Sequence, residues 1–210
     1  MDLALFDFDG TITSRETFPP FLRAVTPPTR WAIGVPLFAP LVLGYRAGLV
    51  SGNLTRAALV RYALAGLPVA ELEAAGRRFA AEAIPQLLRP EAMARIAWHR
   101  KRGDAIAVVS GAFDVYLRPW CDAHGLDLLC STLEQRDGVL TGRYAGAQCV
   151  REEKVRRVRA QYDLWRFERI HAYGDTPEDR ELLALADAPH YRGQRVPDGL
   201  PLEVAIRAAR

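Results

Sequence analysis

Residues 3–11 read Leu-Ala-Leu-Phe-Asp-Phe-Asp-Gly-Thr. Leu3 to Phe6 form an unbroken apolar run that stops at Asp7, the pattern of a short strand buried on both faces. Asp7 and Asp9 then leave that strand two residues apart, in a tight turn marked by Gly10. The same pattern returns twice: Ala105 to Val109 ends at Ser110, and Ile170 to Tyr173 ends at Gly174-Asp175. Between these runs, Met93 to Arg102 (apolar at Met93, Ile96 and Ala97) and Ala112 to His124 show helical spacing. Buried strands alternating with helices predict an α/β fold with a Rossmann-like parallel sheet covered on both faces.

Residues 14–85 break this rhythm. Six prolines fall between Pro19 and Pro40, and the segment holds helix-like stretches without a convincing strand. Ser51 or Asn53 caps a helix that runs to Leu64 and is stopped by Gly66 and Pro68. A second helix is expected over Ala70 to Ala83. The organisation is therefore an α/β core made of 1–13 and 86–210, with an inserted helical cap over 14–85. Within the cap, Trp31 to Tyr45 is uncharged and mostly apolar but carries two prolines and two glycines, and is shorter than the ~20 residues of a membrane span. It reads either as a helix packing the cap's own core or as an element lying at a membrane surface. In the core, two β-prone runs, Cys130 to Leu133 and Val139 to Tyr144, flank Arg136-Asp137-Gly138 and predict a hairpin.

Composition narrows the function classes. The 210 residues carry a net charge of +3, and the basic residues are scattered, so no nucleic-acid stripe is expected. There are 26 arginines and only two lysines, Lys101 and Lys154, so each lysine invites a reason. Cys121, Cys130 and Cys149 form no Cys-x-x-Cys pair and no disulfide framework, and the four histidines show no metal-ligand spacing. With an acid at the second position, where a secretion signal begins basic, a cytoplasmic protein is expected.

In parallel α/β sheets, ligands bind beyond the carboxyl ends of the strands. Here those ends carry Asp7, Ser110 and Asp175, and Asp175 is followed by Glu178 and Asp179. Carboxylates gathered in one small space repel unless a cation joins them or one keeps its proton. An all-oxygen set suits Mg²⁺, which bridges carboxylates to a substrate phosphate. Lys154, on a helix expected over Arg151 to Gln161, would then face phosphoryl oxygens as a point charge. Plainer readings exist for each piece. Asp175 to Asp179 could be a capped helix start, Ser110 an N-cap, and Lys154 part of a solvated basic face with Arg151, Arg156, Arg157 and Arg159. A calcium loop beginning at Asp7 is excluded, because its sixth and twelfth positions are Ile12 and Phe18.

Taken in order, DFDGT (7–11), VVSGAF (108–113), Lys154 and YGDTPEDRELL (173–183) resemble the four motifs of the haloacid dehalogenase superfamily of phosphohydrolases, over essentially the whole chain. The insertion after the first motif, VVSGAFDVYL, RDGVLTG and the Cys149-to-Lys154 spacing are similar to subclass IB, which includes phosphoserine phosphatase. Two departures stand out: Thr176 replaces a usual glycine, and the cap carries the proline-rich apolar run.

The resemblance implies that Asp7 attacks phosphorus and becomes an aspartyl phosphate, while Asp9 gives a proton to the leaving alcohol and later takes one from water. It implies phosphate binding by Ser110, Gly111 and Lys154, and Mg²⁺ held by Asp7, Asp175 and the main-chain carbonyl of Asp9. Thr11 and Asp179 have supporting roles, Asp179 through a metal-bound water or through Lys154. Glu16, nine residues after Asp7, and Arg61 are the candidate substrate contacts of the cap. The implied substrate is a small phosphomonoester such as phosphoserine. Glu16 to Arg23 and the apolar run are also similar to bacterial phosphatidylglycerophosphate phosphatases, which implies a lipid phosphate and a membrane contact through 31–45. Histidinol phosphate is a third option, and a catalytically silent binding protein on this fold is the non-enzyme alternative.

Overall fold

Alternation of side chains along the first strand divides the molecule into layers. The computed structural model describes residues 1–208, and β1 (Leu3–Phe6) is buried at all four positions. Ala4 and Phe6 face a cluster with Phe8, Phe21, Leu64, Phe79, Tyr116 and Trp120, whereas Leu3 and Leu5 face one with Val158, Leu182 and Leu183. This period of two is what a strand covered on both sides requires.

Four helices follow β1: α1 (Phe18–Val25), α2 (Pro28–Arg46), α3 (Gly52–Leu64) and α4 (Val69–Glu82). Prolines open α1 and α2, where a missing N–H leaves no bond unmade. The Ser51 hydroxyl caps α3 by accepting the Leu54 N–H. Then come α5 (Pro90–Arg102), ended by Gly103 at φ 77°, β2 (Ala105–Phe113), α6 (Asp114–Ala123), β3 (Asp127–Ser131), β4 (Leu133–Arg136) and β5 (Val139–Tyr144). The chain continues through α7 (Glu152–Gln161), β6 (Ile170–Gly174), α8 (Arg180–Ala184), β7 (Ala188–Tyr191), β8 (Gln194–Arg195) and α9 (Leu202–Ala208). The main sheet has the order β3-β2-β1-β6-β7-β8, parallel except for β8, and β4 and β5 form a separate hairpin. This is the expected α/β class, a Rossmann-like sheet with a helical insertion.

Three boundaries differ from the sequence reading. The second strand does not stop at Ser110. It passes through an irregularity between Ser110 and Phe113, so α6 begins at Asp114 and not at Ala112. Cys130 and Ser131 pair in register with Ser110 and Phe113, which places them in the parallel sheet. The hairpin therefore starts at Leu133. The third concerns the apolar run: Trp31 to Tyr45 is one helical stretch, but Gly34 alone among the residues of α2 is fully buried. It does not fill the cap's core. Among the described residues no helix is long and apolar enough to cross a membrane.

The inserted helices pack tightly on the core. The Gly66 N–H donates to Leu140 O at 3.0 Å and the Val69 N–H to Gly138 O at 2.9 Å, tying the insertion to the hairpin. Helix α4 lies against α6 so closely that a Cβ on Gly76 would overlap the main-chain oxygen of Val115. Backbone cannot swing aside as a side chain can. Gly76→Ala should therefore destabilise the protein by about 1–3 kcal/mol despite alanine's better helix propensity. Urea unfolding checks this, and an unchanged or raised midpoint would show that the two helices separate freely.

Candidate active site

Parallel register sets Phe6 opposite Val108 on one side and Tyr173 on the other. Asp7 and Asp175 consequently follow the ends of β1 and β6, and Ser110 stands at the same end of the sheet in β2, where that strand becomes irregular. Asp7 is buried, and its N–H donates to Tyr173 O at 2.9 Å. Lys154, only 2% exposed, reaches into this end from the first turn of α7. Its Nζ donates to Asp7 Oδ1 and to Asp179 Oδ1, each at 2.6 Å. Burial alone would lower the lysine's pKa, but the two carboxylates raise it and the ammonium stays charged. The plain reading of Lys154 as part of a solvated basic face does not hold.

Asp179 is the keystone of the loop after β6. Its Oδ2 accepts the N–H groups of Asp175 (3.1 Å) and Thr176 (3.0 Å) and the Thr176 hydroxyl (3.1 Å). Its side chain is thus committed to Lys154 and to the loop that presents Asp175. Thr11 Oγ1 donates to Asp175 Oδ1 at 3.1 Å. Gly10, at φ 80°, lies where any Cβ would overlap the Asp175 carboxylate, so both conformation and contact demand glycine there. Ser110 is buried, with its Oγ accepting the Ala112 N–H at 3.1 Å, and Gly111 packs against Val150.

Asp9 has a different environment from Asp7. Its Oδ1 accepts the Thr17 N–H at 2.9 Å and the Thr17 hydroxyl at 2.6 Å. Burial pushes its pKa up to about 7, even though the two bonds from Thr17 act in the opposite direction. Thr17 escaped the sequence reading. A threonine before Phe-Pro-Pro reads as an N-cap, yet its hydroxyl makes no capping bond and serves Asp9 and Tyr116 instead.

Carboxylate oxygens of Asp7, Asp175 and Asp179 lie within 4.8 Å of one another. Burial and the Asp179 charge push Asp7 well above the carboxylate range, and the same two causes push Asp175 to about 6. Three acids facing one ammonium leave surplus negative charge on hard oxygen donors, which fits a small divalent cation.

At the edge of this centre, Arg56 of α3 pairs with Glu178 Oε1 at 3.0 Å and donates to Gln148 Oε1 at 2.9 Å. Glu178 also accepts the Arg151 N–H through its main-chain oxygen. Arg151 adopts φ 51° and ψ −127°, a strained conformation for a non-glycine residue, directly before α7. Arg61 lies five residues beyond Arg56 and lines a cavity of about 510 Å³ with Arg143, Tyr144 and Arg151. Glu16 is exposed, and its charge contributes to raising Asp9. The bridge from Arg56 to Glu178 joins residues 122 apart in sequence, beyond the reach of any local pattern.

Removing the lysine tests whether it holds the cluster together. Lys154→Met should cost about 3–5 kcal/mol at pH 7 by leaving two buried acids without their partner. Lys154→Arg, although it keeps the charge and uses the basic residue this chain prefers, should also destabilise, because a planar guanidinium does not fit between two oxygens 2.6 Å from one atom. Urea midpoints equal to wild type for both variants would refute the bridging role.

Comparison with known proteins accords with this arrangement. A family model described as haloacid dehalogenase-like hydrolase matches residues 4–184. Protein CicA of Caulobacter vibrioides is 38% identical over 194 residues, covering 90% of this chain and 85% of that protein. A histidinol-phosphatase of Neisseria meningitidis is 29% identical over 127 residues, 57% of each chain. Among solved structures, a protein of unknown function from Bordetella pertussis superposes with a TM-score of 0.76 at 26% identity, covering 90% of this chain and 88% of that one. A phospho-aspartyl intermediate analogue of phosphoserine phosphatase gives a TM-score of 0.65 at 25% identity, with 90% and 84% covered. The strand-end carboxylates and the buried lysine thus sit in a member of an identified enzyme family: the chain belongs to the haloacid dehalogenase-like hydrolases.

Proposed function

We propose that the protein is a cytoplasmic, Mg²⁺-dependent phosphomonoester hydrolase that works through an aspartyl phosphate on Asp7. The observation that carries this reading is the pairing of two differently tuned acids, Asp7 against Lys154 and Asp9 against Thr17. In the first step an Asp7 carboxylate oxygen bonds to phosphorus and the bond from phosphorus to the alcohol oxygen breaks. Asp9, protonated near its pKa of about 7, gives that proton to the departing oxygen. In the second step Asp9 takes a proton from water, whose oxygen bonds to phosphorus as the Asp7–phosphorus bond breaks, releasing inorganic phosphate. Ser110 and the Gly111 N–H hold phosphoryl oxygens, and Lys154 offsets their charge. Asp7, Asp175 and the Asp9 carbonyl would hold Mg²⁺, which when bound supplies positive charge beside the phosphoryl group. Asp179 acts through Lys154 and the loop.

Residues 14–85 act as the cap that selects the substrate, with Glu16 and Arg61 as its contacts and Arg56 closing the cap onto Glu178. A small phosphomonoester is the substrate class favoured here. The phosphoserine phosphatase structure supports phosphoserine, and the Neisseria relative supports histidinol phosphate. The exposed apolar side of α2 favours a lipid phosphate as the second reading. A panel of these phosphomonoesters, assayed with the lipid phosphate in vesicles, decides among them.

Asp7→Asn should abolish turnover and leave the fold intact, because an amide is neither a comparable nucleophile nor an anionic ligand. Circular dichroism and phosphate release check both halves, and near-normal turnover would rule out covalent catalysis by this residue.

The Asp9 proton predicts two different pH profiles. Hydrolysis of an alkyl phosphate should fall as pH rises above about 7, where Asp9 has no proton to give. An aryl phosphate with a good leaving group should lose far less over the same range. Identical alkaline limbs would remove Asp9 from this role.

Mg²⁺ should raise the melting temperature more at pH 7.5 than at pH 5. A raised folded-state pKa means that the metal-free protein loses the contribution of Asp175 as pH climbs through about 6, and the cation restores it. His190, lowered to about 4, changes stability in the opposite direction, so the difference with and without Mg²⁺ is the quantity to read. A pH-independent difference would place the cation elsewhere.

A further inference from the structure

Among the described residues, the exposed apolar side chains of α2 have nothing packed over them. Ile33, Val35, Leu37 and Leu43 are each more than half exposed, Leu49 in the following turn is 83% exposed, and Leu54 at the start of α3 is 59% exposed. The helix is held by a narrow seam: Gly34 lies under the Tyr62 ring, Phe38 packs on that ring, and the Tyr62 hydroxyl donates to Arg30 O at 2.8 Å. Its remaining surface is an apolar ridge about 28 Å long on the 19-residue helix.

Charge says what covers this ridge. Residues 17–70 contain five arginines and not one Asp or Glu. Arg23 and Arg30 stand before and at the start of the helix and Arg46 at its end, with Arg30 also donating to Ala65 O at 3.2 Å. A second copy facing the first would set arginines against arginines with no acid in this segment to pair them. A surface that is apolar in depth and anionic at its rim satisfies both features at once. We infer that α2 docks in the plane of an anionic phospholipid bilayer, with Ile33, Leu37 and Leu43 in the acyl boundary and the flanking arginines among the headgroups.

The placement of the ridge gives the docking a consequence. A Cβ on Gly52 would lie 3.0 Å from Glu178 Oε1 and 3.1 Å from Tyr45 Cε2, so the end of α2 meets the Glu178 loop there. Glu178 adjoins Asp179, the partner of Lys154. A docked helix therefore brings the edge of the site to the lipid surface. Docking does not depend on the chemistry at Asp7, and its test reads binding rather than hydrolysis.

The full chain is mixed with vesicles of equal parts phosphatidylglycerol and phosphatidylcholine, or of phosphatidylcholine alone, and floated on a density gradient. Recovery with the anionic vesicles alone is expected, weakened by added salt. Leu37→Asp/Leu43→Asp should reduce binding at least tenfold, and Arg23→Gln/Arg46→Gln by an order of magnitude, since each arginine at an anionic surface contributes about fivefold. Both pairs are exposed, so melting temperature and hydrolysis of a small soluble ester should be unchanged. Should the leucine pair fail to fold, Leu49→Asp, outside the helix, gives the same readout. Failure of the wild type to float with anionic vesicles, or equal recovery with both vesicle types, overturns the inference. So does a concentration-dependent dimer, seen by sedimentation, that the leucine pair abolishes without any effect on vesicle binding. Loss of hydrolysis with flotation intact would count against the phosphatase reading alone.

Discussion

Everything at the carboxyl end of the sheet depends on one buried ammonium. Lys154 is nearly inaccessible, and two oxygens at 2.6 Å replace its water. A charge so placed has to be matched at close range, and it is matched by residues from two distant parts of the chain, one ending β1 and one following β6. The choice of lysine is informative in a sequence with 26 arginines. A compact ammonium can sit between two carboxylates and still turn a third donor toward a ligand, which a planar fork five donors wide does not do. The strained backbone at Arg151 belongs to the same device, since it sets the start of α7 and with it the depth to which Lys154 reaches.

The order of the sheet supplies the rest. With β1 in the middle and β2 and β6 parallel on either side, the residues that end these strands share one location without any loop having to bring them there. Local geometry then divides labour. Asp179 is bound to main-chain N–H groups and holds the loop, Gly10 clears space for Asp175, and Arg89 donates to the carbonyls of Gly10 and Thr13 to keep the first turn closed. Lys154 joins Asp7 to Asp179, and Asp179 and Asp175 are in turn tied to the loop after β6 and to Thr11.

How much of this was legible in the sequence follows from the range of each interaction. Strand β1 and the first five residues of β2 are continuous apolar runs, and β6 is a shorter one broken by His171; each run is followed within two residues by Asp7, Ser110 or Asp175, so burial and direction could both be read. Ser51 announced α3 through a capping bond made within its own first turn. Strand β7 was missed because it is four residues long and contains Pro189, which lacks a ladder donor. The apolar face of α2 could not be assigned to the core or to the outside, since a stretch apolar all round has no periodicity that selects a buried side. Arg56 with Glu178 and Thr17 with Asp9 are tertiary contacts, and nothing in the neighbouring residues marks them. The sequence order of the motifs located the site, but the partners that tune it came only with the fold.

Asp7 and Asp9 show why those partners matter. They are the same residue type, two positions apart, and burial raises both. What differs is the nature of the donor. Asp7 faces a full positive charge, which favours its ionised form and works against burial and the neighbouring Asp179 charge. Asp9 faces neutral donors from one threonine, which relieve part of the burial effect and stop near neutrality. A carboxyl poised there can hold a proton in one half of a reaction and accept one in the other, whereas a carboxylate beside an ammonium cannot. Identical side chains thus acquire opposite tasks from a lysine and a threonine that lie 147 and 8 residues away along the chain.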